Sequence, residues 1–273
     1  MKQVAVVIPV YKQVMEAEEK ISLRQTFRVL GNHPVVLVCP NNLSVSEYEK
    51  LALSEKVDLA IERFEDGFFE GIDGYNRMLL SESFYQRFST YNYILICQPD
   101  AYVFEDQLEE WCEKGYDYVG APLFGRYSDT DFHFNQGRVG NGGFSLRRVR
   151  AYLDFFGGKK HVFQFKDIPG RIGFRKKPYT RWLVWLLVAL GWRNKPRSFA
   201  KHWSYNEDVF WSELSDGTNY ALKKPSVLEA LHFAFERFPS ETFAITQKLP
   251  FGCHAWRKYQ YDTFWKDYII IDE

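Results

Sequence analysis

The stretch YILICQPDAYVFED, residues 93–106, ends an apolar run abruptly in a carboxylate. The run up to Cys97 has the continuous apolar character of a strand covered on both faces, and Asp100 follows directly after Pro99. Similar runs precede it at VAVVIPVY (4–11), HPVVLVCP (33–40) and VDLAIERF (57–64). The stretch therefore predicts a buried central strand, over 91–97, with a carboxylate at its carboxyl end.

Helix-forming segments alternate with these runs at 14–30, 44–54 and 74–88, and a fifth strand-like run, YDYVGAP, follows at 116–122. The segment 44–54 opens with Ser44 and Glu47 in the spacing of a capping box. This alternation predicts an α/β fold with a mostly parallel central sheet flanked by helices. Ligands of such sheets bind at the carboxyl ends of the strands. We therefore expect one crevice lined by Tyr11, Pro40-Asn41, Phe64 and Asp100.

Length and composition allow one large domain with a sizeable core, since the chain has 273 residues and 46% of them are hydrophobic. Lys+Arg and Asp+Glu both number 35, whereas a nucleic-acid binder would be basic, so we expect no nucleic acid as partner. The four cysteines lack C-x-x-C spacing and fit a reducing cytosol. The first apolar run begins too soon after Met1 for a signal peptide. We expect a cytoplasmic protein.

Several common enzyme classes lack their motifs here. No G-x-G-x-x-G follows the first strand, and the sequence contains no G-x-x-x-x-G-K-[ST], which argues against a dinucleotide-binding dehydrogenase and a P-loop NTPase. The absence of G-x-S-x-G likewise argues against an α/β-hydrolase.

Residues 157–200 differ in character from the rest of the chain. A stretch rich in Gly, Pro and basic residues leads into WLVWLLVALGW (182–192), which at 11 residues is short of the roughly 20 needed to span a bilayer. Its basic flanks and three tryptophans suit a helix that lies in a membrane interface, at the inner face of the membrane. A helix that packs on the core or on a second subunit has the same pattern, and both interpretations stay open. A further helix is predicted around 227–236, and a strand-like segment at 268–272.

Two of the motifs contain an acidic residue or glycines where a ligand could bind. Asp100, at the end of a buried strand, favours a cationic partner, and Mg²⁺ or Mn²⁺ is commonly held by one or two carboxylates plus substrate phosphates. An Asp in this place also serves as a turn or helix cap. In VGNGGFSLR (139–147), three glycines in four positions allow close approach of a ligand, as they also do in structural turns.

Two later motifs contain an acidic pair and a histidine. Glu207 and Asp208 stand at a predicted helix start, where the helix dipole stabilises carboxylates, although a solvated acidic first turn is also common. His254, in PFGCHAW (250–256), lies between small and aromatic residues, and such a histidine is more often structural than a ligand. Each motif is modest alone, and their order along the chain is the stronger signal.

In this order, VVIPVYK, GYNRMLL, QPDAYVF, YVGAPLF, GNGGFSLR, NEDVFW and PFGCHAW resemble bacterial glycosyltransferases of the GT-A fold, in a family-2-like branch associated with surface-polysaccharide genes. The resemblance covers nearly the whole chain and is weakest over 157–200. It implies a single Rossmann-like, GT-A-like catalytic domain over 1–273 with a C-terminal acceptor-side extension. Residues 1–125 would form the nucleotide-sugar-binding half, and residues 126–273 the acceptor-side half, with a basic and apolar insertion at 157–200.

The resemblance also implies roles for individual residues on the donor side. In these enzymes a D-x-D motif holds a divalent metal, Mn²⁺ or Mg²⁺, against the donor's diphosphate; Gln98 replaces its first Asp, Asp100 matches the second, and His254 matches a late metal-binding histidine. The donor-binding residues implied are Pro9, Tyr11, Asn76, Arg77 and Gln98.

On the acceptor side, the resemblance implies that the sugar and acceptor are lined by Asn141, Gly142, Gly143 and Trp256. Asp208 matches the general base of inverting enzymes, and Glu207 is the second candidate. A carboxylate within hydrogen-bond reach deprotonates the attacking hydroxyl, while a metal neutralises the leaving diphosphate.

The resulting hypothesis is an inverting, metal-assisted glycosyltransferase of surface-polysaccharide synthesis. It would move a hexose or related sugar from a nucleotide-sugar donor to a glycan or lipid-linked acceptor. The sequence also allows peripheral membrane contact through 182–192 and formation of a homodimer. A sugar nucleotidylyltransferase would need a Gly-rich basic loop after the first strand, which PVYKQVMEAEE lacks. A non-catalytic carbohydrate- or nucleotide-binding protein on a decayed transferase fold is favoured by Gln98 and opposed by the acidic pair and His254.

Overall fold

The computed structural model describes residues 2–124, 132–134, 137–164, 186–213, 218–269 and 271. Its strands are β1 (Lys2–Pro9), β2 (Val35–Pro40), β3 (Leu59–Phe64), β4 (Tyr91–Cys97), β5 (Ala101–Val103), β6 (Tyr118–Gly120), β7 (Pro122–Phe124), β8 (Gly137–Val139), β9 (Phe144–Arg148), β10 (Ala234–Phe235) and β11 (Gly252–His254).

The central sheet contains six of these strands in the order β3-β2-β1-β4-β9-β6. Strands β3, β2, β1 and β4 are parallel to one another, and β9 lies antiparallel between β4 and β6. The predicted mostly parallel sheet is therefore confirmed. The motif GNGGFSLR was not predicted as a strand, yet its second half forms β9. Small sheets of β10-β11-β5 and β7-β8 lie beside the central one.

The helices are α1 (Ala17–Leu30), α2 (Ser46–Ser54), α3 (Gly71–Leu79), α4 (Glu82–Arg87), α5 (Leu108–Glu113), α6 (Val149–Phe156), α7 (Pro196–Lys201), α8 (Glu207–Glu213), α9 (Val227–Phe233) and α10 (Pro239–Thr246), with short 3-10 helices at Asp66–Phe69 and Trp265–Asp267. Helices cover both faces of the sheet. Val4, Val6 and Ile8 of β1 share a hydrophobic cluster with α1, α2 and α5, whereas Ala5 and Val7 share one with α3, α4, α6 and α8. The continuous apolar run of β1 reflects this burial on both faces.

Two of the predicted helix boundaries are wrong. The segment 74–88 contains two helices because the Ser81 hydroxyl accepts a hydrogen bond from the Phe84 amide at 3.3 Å and starts α4 afresh. The capping box at Ser44 does not form. Helix α2 begins at Ser46, Ser44 Oγ contacts Ser46 Oγ, and the carboxylate of Glu47 accepts from the Met15 amide 3.1 Å away.

Two predictions in the C-terminal region are also wrong. The helix predicted at 227–236 ends at Phe233, because the next two residues pair with β11 as the short parallel strand β10. At the strand-like 268–272, Tyr268 and Ile269 lie in no strand. The Ile269 amide donates to the Trp265 carbonyl at 2.7 Å, which continues the preceding helical turn instead of a ladder. Residues 270 and 272 lie outside the described part of the chain.

The segment 182–192 is described only from residue 186 onwards, and residues 165–185 of the predicted insertion lie outside the described ranges. Residues 186–189 are helical. Val188 is buried, whereas Leu190 is 74% exposed and Trp192 is also exposed. The buried Asn194 amide donates to the Val188 carbonyl at 3.2 Å and thereby anchors this turn. In the ranges described, no helix is long and apolar enough to cross a membrane.

Candidate active site

A cleft of about 710 Å³ opens at the carboxyl ends of β1 and β4. Twelve of the thirteen predicted site residues line it: Pro9, Tyr11, Asn76, Gln98, Asp100, Asn141, Gly142, Gly143, Glu207, Asp208, His254 and Trp256. Chain segments more than 200 residues apart in sequence thus meet in one place. This is the arrangement expected of a parallel α/β sheet, whose ligand sites lie at this edge.

Arg77 is not among the lining residues. Its side chain is exposed and donates to the Gly67 carbonyl at 2.9 Å. Pro40-Asn41 and Phe64 also lie outside the lining set, although the sequence predicted them there. The guanidinium of Arg63 donates to the carbonyls of both Pro40 and Asn41 and fixes the end of β2, while Phe64 is buried in the core.

The glycine motif makes room for site side chains, not for unusual backbone angles. A Cβ on Gly143 would lie 2.1 Å from Nε2 of His254, and one on Gly142 would lie 2.4 Å from Oε1 of Glu207. Neither glycine has a positive φ. Asn141 holds the loop, because its Oδ1 accepts a hydrogen bond from the Gly143 amide at 3.0 Å. The loop is therefore shaped to bring an imidazole and a carboxylate against the backbone.

One edge of the cleft contains a polar cluster centred on His254. Nε2 of the imidazole lies 3.0 Å from Oε1 of Gln98 and 3.3 Å from Oδ1 of Asp100, and Nδ1 lies 3.3 Å from Oε1 of Glu236. Burial favours the neutral ring, but the charges of Asp100 and Glu236 outweigh it and raise the pKa of His254 well above its ordinary value. The surroundings therefore favour the protonated ring, which would donate on both sides.

Asp100 faces the cleft with 52% of its side chain exposed. Burial raises its pKa, the charge and hydrogen bond of His254 lower it, and the net shift is downward. A carboxylate and an imidazole that converge in this way are oxygen and nitrogen donors that a hard divalent ion can use together with phosphate oxygens. Within the described ranges, no group of three or more His, Cys, Asp and Glu residues is arranged to hold a metal ion.

Glu207 is held in a buried ion pair. Arg147, whose side chain is fully buried, donates from Nη2 to Oε1 of Glu207 at 2.8 Å and from Nη1 to Oε2 at 3.0 Å. Arg147 also donates to Tyr85 Oη and Ser145 Oγ. The Glu207 amide donates to Oδ1 of Asn76 at 3.0 Å, which ties α3 to the start of α8. Both carboxylate oxygens of Glu207 are therefore occupied by the Arg147 guanidinium.

Asp208 is the less constrained carboxylate of the acidic pair. Its Oδ1 accepts a hydrogen bond from the Val209 amide at 2.7 Å, and it has no ion pair among the described residues. Burial, followed by the negative charge of Glu207, raises the pKa of Asp208 to about 7. A carboxyl group with such a pKa is matched to proton transfer near neutral pH, as general bases are.

Trp256 lines the cleft but belongs mainly to the core. Its ring is fully buried, and its indole N–H donates to Ser22 Oγ at 2.8 Å. Its polar atom is therefore used inside the protein.

Two residues at or next to the cleft were not predicted from the sequence as site residues. Arg147 lies within GNGGFSLR, and an arginine in a buried strand is itself a signal that a buried acid must pair with it. Glu236 was assigned to the helix predicted at 227–236. The signal that it is different is its place directly after the apolar run FAF, at the carboxyl end of what is a short strand.

The cleft is rich in negative charge. The carboxylates that line it are Glu16, Glu18, Glu19, Asp100, Glu207, Asp208 and Glu236, against Lys12, Arg257 and His254. The two basic side chains at the rim are already paired, since Lys12 contacts Glu16 and Glu19, and Arg257 lies 3.6 Å from Glu18. An anionic ligand would meet a repulsive field here unless a cation accompanied it.

Comparison with solved structures defines the class of fold. GlyE of Streptococcus pneumoniae TIGR4, a glycosyltransferase, is 12% identical with a TM-score of 0.50, over 100% of this chain and 61% of that one. At this identity the likeness shows the fold alone, and the fold is that of the GT-A glycosyltransferases. The chain spans less than two thirds of the length of GlyE.

Two further similar structures are core-mannan synthase A of Aspergillus fumigatus in its Mn/GDP form (13% identity, TM-score 0.47, 80% of this chain and 70% of that one) and the galactosyltransferase LgtC (9%, 0.49, 92% and 86%). The chain belongs to the family described as "Protein of unknown function (DUF5672)", whose model matches residues 58–254. No curated protein matches the chain.

Proposed function

We propose that this protein is an inverting glycosyltransferase that moves a hexose or related sugar from a nucleotide-sugar donor to a glycan or lipid-linked acceptor. The observation that carries the proposal is the joint placement of Asp208 and the Asp100–His254 edge in one cleft at the carboxyl ends of β1 and β4. Residues 1–125 would contribute the donor side and residues 126–273 the acceptor side. The GT-A fold supports sugar transfer in general, and surface-polysaccharide synthesis is the pathway that we propose.

The proposed reaction is a single displacement. The acceptor hydroxyl oxygen attacks the anomeric carbon as the bond from that carbon to the diphosphate oxygen breaks, and the diphosphate leaves with the bonding electrons. Asp208 takes the hydroxyl proton, for which its raised pKa suits it. Glu207, held by Arg147, fixes the start of α8 and thereby the position of Asp208. Attack opposite the leaving group inverts the configuration of the anomeric carbon.

Donor binding would use the remaining lining residues. Tyr11 is 60% exposed beside Pro9 at the cleft mouth, where its ring can stack on a base. The diphosphate would lie at the edge formed by Gln98, Asp100 and His254. Arg77 would reach it only by releasing the Gly67 carbonyl.

The acidic lining favours a divalent cation as cofactor. Asp100 and His254 would hold it, with Gln98 nearby, and the donor's phosphates would complete the coordination. When bound, the cation supplies Lewis-acid stabilisation of the leaving diphosphate. The imidazole must lose its Nε2 proton to ligate, so metal and proton compete at this atom.

Metal dependence is testable by thermal melting. In the presence of Mn²⁺ or Mg²⁺, we expect one of the four nucleotides UDP, GDP, dTDP and CMP to raise the melting temperature. A ligand that binds only the folded state stabilises that state by mass action. EDTA should abolish the shift. The Asp100→Ala variant should lose it, whereas Asp154→Ala, whose exposed carboxylate lies away from the cleft, should retain it. An undiminished shift in EDTA would contradict the metal assignment.

The experiment that tests the function itself is release of the nucleotide (UDP, GDP or dTDP as the diphosphate, CMP as the monophosphate) from the corresponding nucleotide-sugars, with and without candidate glycans and lipid-linked acceptors. Acceptor-dependent release, with the sugar recovered on the acceptor, would support the proposal. Binding of a donor with no release under any condition would instead support a non-catalytic binding protein, the alternative that Gln98 favours.

The raised pKa of Asp208 predicts a pH dependence of both activity and stability. The base must be deprotonated, so kcat should rise with pH up to about 7 and then level off. The folded state holds this proton to higher pH than the unfolded chain, whose Asp pKa is about 3.9. The group's contribution to the free energy of unfolding therefore falls between pH 4 and 7. Urea denaturation of the wild type and Asp208→Asn should show the variant gaining relative stability across that window, and a constant difference would contradict the shift.

A lipid-linked acceptor would explain the exposed apolar turn that follows residues 186–189. Leu190 and Trp192 are exposed, and the Arg193 guanidinium lies 4.6 Å from the Trp192 ring centroid, a combination typical of interfacial segments. We expect the protein to float with anionic vesicles and Leu190→Ser to weaken this. No vesicle binding by the wild type would contradict the membrane contact and leave a glycan acceptor.

A further inference from the structure

Glu236 is a buried carboxylate that lies against the cleft. The parallel pairing of Ala234 with Gly252 and of Phe235 with Cys253 brings the residues that follow, Glu236 and His254, to the same level. The Glu236 side chain is 2% exposed and still lines the cleft. An acid so placed has lost most of its hydration and depends on partners for both oxygens.

Its two oxygens have different surroundings. Oε1 lies 3.3 Å from Nδ1 of His254, which holds one side of the carboxylate. Oε2 is buried and has no hydrogen-bond partner within the described ranges. A buried acceptor without a donor destabilises the folded protein, and more so when the group is charged. A ligand in the cleft can supply the missing donor.

The chemistry of the missing donor can be narrowed. A phosphate is excluded because a carboxylate repels it. Glu236 does not face the same ligand group as Asp100, because Asp100 lies at Nε2 of His254 and Glu236 lies at Nδ1, on the opposite side of the ring. A neutral hydroxyl avoids this repulsion and can donate to the free oxygen, and sugars present several hydroxyls. Glu236 and Asp208 both line the cleft, and the charge of Glu236 contributes to the raised pKa of Asp208.

We propose that Glu236 binds a hydroxyl group of the transferred sugar, which donates to Oε2 while His254 holds Oε1. This assignment rests on the proposed function and deepens it. With the diphosphate at the Asp100 edge and the acceptor hydroxyl at Asp208, the transferred sugar lies between them, within reach of Glu236. Glu236 thereby distinguishes a nucleotide-sugar from its nucleoside diphosphate.

Calorimetric titration with two probes tests this assignment. The probes are a nucleoside diphosphate and the matching nucleotide-sugar, chosen as the pair that the wild type binds among UDP, GDP and dTDP with their glucose, galactose, mannose or N-acetylglucosamine forms. In Glu236→Gln the amide oxygen faces His254 and the NH₂ group faces the sugar, so the hydrogen-bond acceptor for the sugar hydroxyl is lost. We expect affinity for the nucleotide-sugar to fall about 10-fold or more and affinity for the diphosphate to change less than twofold.

Glu241→Gln is the matched control, since it removes the same charge five residues further along and outside the cleft, where Glu241 pairs with Gln260. It should leave both affinities unchanged, and melting curves should confirm that each variant is folded. Equal losses for both probes in Glu236→Gln would assign Glu236 to His254 and the diphosphate, and no loss would remove it from binding; either overturns the proposal. A wild-type protein that binds no nucleoside diphosphate would overturn the proposed function and this assignment with it.

Discussion

Asp208→Asn should lower kcat for sugar transfer by about 10³-fold, within the range that a positioned general base contributes. The amide has nearly the shape of the carboxylate but cannot accept the hydroxyl proton. The Asp208 carboxylate has no ion pair among the described residues, so its neutralisation should cost little stability. It also relieves repulsion with Glu207, the charge that helps to raise the pKa of Asp208.

Two further measurements make this result specific. The affinity for the nucleotide donor should change by no more than a few-fold, because Asp208 acts on the acceptor hydroxyl. Asp154→Asn is the control: this carboxylate is 58% exposed, pairs with Arg150 and is not among the cleft residues. If Asp208→Asn turns over at a rate near that of the wild type, Asp208 is not the base.

The second large effect is expected at Arg147. Arg147→Met should lower the free energy of unfolding by about 3–5 kcal/mol, because it leaves the Glu207 carboxylate buried without its partner. Removal of the other partner by Glu207→Leu should lower the free energy of unfolding by a similar amount. The double variant should lose clearly less than the sum of the two, since it removes both charges from the interior. Urea denaturation monitored by tryptophan fluorescence gives these values.

Arg148→Met is the matched control for this series. Its side chain is 47% exposed and lies 3.6 Å from Asp117, and exposed pairs of this kind contribute about 0–1 kcal/mol. If Arg147→Met costs no more than Arg148→Met, the buried pair does not stabilise the site. Such a result would also argue against the proposal that the Arg147–Glu207 pair fixes the position of Asp208.

The sheet could be predicted from the sequence because β1, β2 and β4 are buried on both faces, and such strands form long apolar runs. The short strands β9 and β10 could not. Arg147 interrupts the apolar pattern of β9, and its burial depends on Glu207, 60 residues away in sequence. Strand β10 has two residues, and its pairing with β11 decides against the local helical pattern.

The same distinction applies to the site. Asp100, Asp208 and His254, which all lie in motifs, line the same cleft. Asp100 could be placed there from the sequence because the carboxyl ends of parallel strands meet at one edge. Their roles stay predictions. Local patterns failed where a distant partner decides: Glu47 bonds the Met15 amide instead of capping α2, and Arg77 turns to the Gly67 carbonyl. Glu236 belongs to the cleft through its pairing with His254, which no local pattern contains.

Hydrogen–deuterium exchange with and without a bound nucleotide is the decisive test of whether the cleft binds the donor. The probe is whichever of UDP, GDP, dTDP and CMP raises the melting temperature most in the presence of Mn²⁺. We expect slower exchange in the peptides that cover the cleft, around residues 9–12, 98–101, 141–144 and 253–257, and unchanged exchange in helix α6 around residues 150–154, which does not line the cleft. Protection confined to other parts of the chain, or no protection by any of the four nucleotides, would contradict it.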